Sequence, residues 1–84
     1  MRIDKYLKVS RIIKRRTVAK ELLDSGNVTL NQQRAKASAV VEIGDTISIK
    51  YGAKMITLQV TNIQEIVRKE EASSMYQLLQ ETVI

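Results

Sequence analysis

Residues 14–31 read KRRTVAKELLDSGNVTLN, and this stretch decides the fold class. Lys14, Arg15 and Arg16 precede Thr17, which suits an N-cap or first helical turn. Val18, Ala19, Leu22 and Leu23 then recur at helical spacing until Gly26, a residue suited to the position just past a helix end. Val28, Thr29 and Leu30 follow as a short β-branched run, with Asn31 and Gln32 as a turn. A helix that opens on three basic residues and passes through glycine into a strand predicts an α+β chain. Its helix start, with unpaired N–H groups and the positive end of the dipole beside three cations, is a phosphate seat.

Upstream, Ile3, Tyr6, Leu7 and the small Ser10 keep a spacing of three and four, while Arg2, Lys5 and Lys8 lie off that stripe, so a short first helix is expected. Its register breaks between Val9 and Lys14, where Ile12 and Ile13 are adjacent. Downstream, Gln33 to Ser38 reads as a loop carrying Arg34 and Lys36, and Val40, Val41 and Ile43 lead into a turn at Gly44 and Asp45. Ile47, Ile49 and Tyr51 alternate with Thr46, Ser48 and Lys50, and Ile56, Leu58 and Val60 alternate with Thr57, Gln59 and Thr61. These are two half-buried strands joined through Gly52 to Lys54. From about Arg68 to Glu81, the stripe Ala72, Met75, Tyr76 and Leu79 predicts a C-terminal helix. The expected architecture is two N-terminal helices packed on a small twisted, mainly antiparallel sheet, closed by that helix. It forms one domain over residues 1–84, with a core motif at about 1–50 and a hairpin extension and helix at about 51–84.

Charge is polarised along the chain. The first twenty residues hold eight basic side chains against Asp4, whereas the remaining sixty-four hold six basic and eight acidic ones, within an overall charge of +5. A concentrated positive field of this kind draws polyanions through Coulomb attraction and counterion release. Cysteine and histidine are both absent, which removes thiol nucleophiles, thiolate metal sites, the usual neutral-pH proton shuttle and the commonest metal ligand. Asp4 beside arginines reads as a charge-pair or first-turn residue. We therefore expect no enzyme, no cofactor and no metal site. No run approaches the roughly 20 apolar residues that span a bilayer, and the basic N-terminus has no signal-peptide character. A lipid-surface role is disfavoured because the apolar face of the first helix lacks Trp and Phe and is needed for the core. These features imply a cytoplasmic protein with no membrane partner. The acidic positions Glu65, Glu70, Glu71 and Glu81 are a surface for a protein partner.

The run RIDKYLKVSRIIKRRTVAKELLDSGNVTLN with AKASAVVEIGDTISI resembles the RNA-binding domain named after small-subunit ribosomal protein S-four. The pattern includes Arg2, Asp4, Leu7, Arg16, Thr17, Ala19, Gly26, Val28, Asn31, Lys36, Val41, Gly44 and Asp45. The resemblance implies an L-shaped αL motif whose basic helical face lies against RNA. Within it, KVSRIIKRRT and KEEASSMYQLL are similar to the RqcP family of stand-alone bacterial ribosome-quality-control factors, related to the heat-shock protein fifteen group, whose basic C-terminal extension is not seen here. That likeness implies a monomer that binds large-subunit rRNA and peptidyl-tRNA on obstructed large ribosomal subunits and supports C-terminal tailing of the nascent chain with an RqcH-type tailing factor. The alternatives are a ribosome-assembly or heat-shock recycling factor, or a tRNA-binding adaptor. Arg2, Lys14, Arg15, Arg16 and Thr17 are the implied RNA contacts, with Lys5, Lys8, Arg11, Lys20 and Lys36 on the same face. The departure from the family is Gln32, where glycine usually follows the turn asparagine.

Arginine grips phosphate bidentately and lysine acts as a point charge, so the arginines should set register and the lysines add field. Few aromatics and a helical basic face suit recognition of folded RNA by shape and backbone. Arg2→Ala and Arg16→Ala are expected to weaken RNA binding with stability shifts under about 0.5 kcal/mol, as for free surface side chains.

Overall fold

The computed structural model describes residues 1–83. Two helices, α1 (Ile3–Val9) and α2 (Arg16–Asp24), precede five strands: β1 (Val28–Leu30), β2 (Gln33–Arg34), β3 (Thr46–Tyr51), β4 (Lys54–Val60) and β5 (Tyr76–Val83). The strands form one antiparallel sheet in the order β2-β1-β3-β4-β5. Expected residues fill the core. Ile3, Tyr6 and Leu7 from α1 and Ala19 and Leu23 from α2 pack with Val28, Ile47, Ile49, Leu58 and Val60. Burying that apolar area is the dominant drive for the two helices to lie on the sheet. The N-terminal strand-like segment is pinned by the Ile3 N–H donating to the Ala39 carbonyl at 2.7 Å and the Val41 N–H to the Met1 carbonyl at 3.0 Å.

The helix boundaries follow the sequence reading. α1 ends at Val9, and Arg11 takes a left-handed conformation, φ 63°, that turns the chain toward α2. α2 begins at Arg16, so Thr17 is a first-turn residue and not the N-cap. Gln33 and Arg34, expected in a loop, form a short strand because Asn31 and Gln32 make a two-residue hairpin with φ 52° and 70°, the primed geometry that matches strand twist. The Asn31 side chain locks this hairpin to β3: its Oδ1 accepts the Thr46 N–H at 2.9 Å and its Nδ2 donates to Asp45 at 3.1 Å.

The expected C-terminal helix is not formed. Lys69–Met75 is a 3-10 turn that buries Ala72 and Met75, after which Tyr76–Val83 is strand β5, paired along all of β4. The reason lies in where the carbonyls go. Met75 C=O accepts the buried Tyr6 hydroxyl at 2.7 Å and the Thr61 N–H at 2.9 Å, and Ser74 C=O accepts the Thr61 hydroxyl at 2.9 Å. A continuing helix would need those acceptors for its own next turn. It would also leave the outer N–H and C=O groups of β4 without partners.

Candidate nucleic-acid interface

Asp4 is the anchor of the basic surface. It sits in the first turn of α1, only 3% exposed, where a carboxylate is favoured by the helix dipole. Its oxygens accept the Lys5 N–H at 2.8 Å, Arg2 Nη2 at 3.2 Å and Arg16 Nη2 at 3.3 Å. Burial pushes its carboxyl up, and the hydrogen bond from Arg16, the Lys5 N–H and the charges of Arg16 and Arg2 overcome that to hold it below the ordinary carboxylate value. Residues distant in sequence, Arg2 and Arg16, are thus oriented by one carboxylate while their guanidinia remain about half exposed. They are not free surface side chains. Removing either must cost stability as well as charge, which corrects the expectation of shifts under about 0.5 kcal/mol.

Around this anchor stand Lys14 and Arg15, both exposed, at the entry to α2, with Thr17 exposed in its first turn and Lys20 exposed one turn beyond Arg16. The N-cap residue of α2, Arg15, makes no side-chain cap hydrogen bond, and the first turn of α2 holds no acidic residue. Three cations at a dipole's positive end repel one another and the helix, and an anion there would relieve both. Arg2 also lines a groove of about 610 Å³ with Arg34, Lys36 and Ser38, closed by Leu23 and Asp24 at the end of α2. Arg34 was not among the expected contacts. Its Nη2 donates to the Asp24 carbonyl at 2.8 Å, and it lies under Gly26, where an added Cβ would come within 3.2 Å of its guanidinium carbon. Its loop-like sequence context concealed it, because only the hairpin carries it back to α2.

Lys5, Lys8 and Arg11 stand apart from that groove. Lys5 pairs with Glu65, whose carboxyl is held low by that hydrogen bond, and Lys8 and Arg11 border Glu65, Ile66 and Val67. Arg11 also borders strands β4 and β5.

A family model described as S4 domain matches residues 1–47, more than half of the chain and the part that holds Asp4, Arg16 and Lys36. The chain belongs to the S4-domain family. Among curated S4-domain relatives it is 52% identical to the RQC P-site tRNA stabilizing factor of Halalkalibacterium halodurans, across all of this chain and 96% of that protein. It is 49% identical to the protein of the same name from Bacillus subtilis, across 96% of this chain and 94% of that one. Among solved structures, the trimeric structure of Vibrio cholerae heat shock protein 15 superposes with a TM-score of 0.87 at 35% identity, over 93% of this chain and 80% of that one. The fold of this S4-domain chain is therefore that of the Vibrio protein over 93% of its length. Among the described residues no helix is long and apolar enough to cross a membrane.

Proposed function

We infer that this S4-domain chain is a non-catalytic RNA-binding factor acting on obstructed large ribosomal subunits. It grips large-subunit rRNA and the peptidyl-tRNA in the P site, and so supports C-terminal tailing by an RqcH-type factor in the bacterial cytoplasm. The observation that carries this reading is the pair Arg2 and Arg16 oriented on buried Asp4 beside an uncapped α2 start flanked by Lys14 and Arg15. That is a preorganised fork for phosphate oxygens. The likeness to the named P-site tRNA stabilizing factors, which match at least 96% of this chain, supports this choice of ribosomal state. On this reading one copy acts per subunit.

Sucrose-gradient sedimentation of the tagged protein, beside its Arg15→Ala variant, tests the proposal. Co-migration with large subunits carrying peptidyl-tRNA, lost in the variant, is expected. Protein that stays at the top of the gradient at low salt defeats the ribosomal reading. A second reading, a recycling factor of the heat-shock type, is favoured by the overlay on the Vibrio structure. Under that reading the protein would follow free large subunits irrespective of peptidyl-tRNA.

A further inference from the structure

The strand that replaces the expected helix leaves β5 as a free sheet edge, at the opposite side of the sheet from β2 and its Arg34. Tyr76 to Val83 carries a single charge, Glu81, with Leu78 and Leu79 half exposed and Val83 more so. Natural sheets blunt an edge of this length with lysine, proline, a bulge or an inward-pointing charge, and this edge has a bulge at Leu79. Neither lysine nor proline occurs in the strand. On the helix side of the same edge lies a groove of about 300 Å³, floored by Ile56, Leu58 and Leu78 and walled by Ile12 and Tyr76. Arg11 and Glu81 flank it. Glu81 is already engaged with Lys54 at 3.3 Å, whereas Arg11 has no ion-pair partner among the described residues.

We propose that the β5 edge and this groove dock an extended segment of a partner protein, which adds as a sixth strand, places an apolar side chain on Leu78 and Ile56, and sets an acidic side chain against Arg11. Main-chain hydrogen bonds to a strand edge give affinity, and side-chain pockets beside it give selectivity. The charge pattern decides the class of occupant. With Glu81 paired to Lys54, Arg11 is the uncompensated charge at the groove and selects an acidic over a basic side chain, while the apolar floor of Ile56, Leu58 and Leu78 fits a peptide side chain and not a phosphate backbone. A second copy of the chain is disfavoured by the edge itself. Thr57 pairs with Gln80 and Leu58 with Leu78, so Leu79 is an unpaired bulge residue. The bulge breaks the edge into two short runs, which a short peptide can follow better than a long self-pairing strand. The proposal does not depend on which RNA the opposite side binds.

The test is an NMR titration of the isotope-labelled chain with a synthetic decapeptide of alternating valine and threonine bearing one central glutamate. A lysine-for-glutamate version and a proline-interrupted version serve as controls. Amide shifts confined to Tyr76–Val83, Ile56 and Arg11, absent with the proline version, are expected. Arg11→Glu should reverse the glutamate-over-lysine preference, by at least about tenfold in affinity, as expected for charge reversal at a contact. Val83→Lys, a guarded edge, should lose the peptide while keeping RNA affinity. Absence of shifts at millimolar peptide overturns the proposal. So do shifts of the β5 amides on adding a structured RNA hairpin, which would assign the edge to RNA, or on concentrating the protein alone, which would assign it to a second copy.

Discussion

Replacing Asp4 by asparagine separates orientation from charge at the basic surface. The carboxylate accepts from Lys5, Arg2 and Arg16 at 2.8, 3.2 and 3.3 Å while almost wholly buried. A hydrogen bond to a charged group contributes about 1.5–3 kcal/mol. The two arginine contacts are long and their guanidinia half exposed, so solvent screening reduces each to about 1 kcal/mol. The loss is then about 2 kcal/mol, a fall in Tm on the order of 10 °C for a chain of this size. Net charge would rise by one from +5, so electrostatics alone predicts tighter RNA binding. If orientation by Asp4 matters, affinity falls instead, by about tenfold for a deficit near 1.4 kcal/mol. Thermal unfolding and fluorescence anisotropy with a labelled RNA hairpin at fixed salt read both quantities. An Asp4→Asn protein with unchanged Tm and tighter RNA binding would refute the argument.

Tyr6→Phe leaves the buried Met75 carbonyl without its 2.7 Å donor, and urea unfolding should show a loss of about 1–2 kcal/mol. Gln32→Gly should stabilise the hairpin by about 0.5 kcal/mol in the same assay, because Gln32 is held at φ 70°, where glycine carries no side-chain penalty. Unfolding followed against pH should reveal two limbs. Asp4 lies below its ordinary value of 3.8 in the folded chain, so its contribution is complete above that pH and is lost as pH falls through the folded value. Burial, with Tyr76 nearby, raises the Tyr6 hydroxyl above its ordinary 10.0, so its contribution is complete below that pH and declines as pH climbs past it, a limb weakened in Tyr6→Phe. Binding measured across salt should give a log–log slope lowered by about 1 in Arg15→Ala, with weakening uniform across RNA sequences.

Local signals carried most of the N-terminal half. The three-and-four spacing of Ile3, Tyr6 and Leu7, the break after Val9, and Gly26 between Leu23 and Val28 depend only on neighbours in the chain, and the structure places each element accordingly. The alternation in Ile47–Tyr51 and Ile56–Val60 is equally local. Cationic character was legible for the same reason, as charge needs no partner to be counted. What tertiary structure alone decided was the pairing of distant groups. The stripe Ala72, Met75, Tyr76 and Leu79 satisfies helical periodicity, but Tyr6 and Thr61 claim the carbonyls a helix would use, and β4 needs a partner. Arg2 and Arg16 meet only because α1 and α2 pack with Asp4 between them, and Arg34 reaches α2 only because Asn31 and Gln32 fold the hairpin back. A sequence records which groups can bond. Which of them compete for one buried acceptor is settled only when the chain closes on itself.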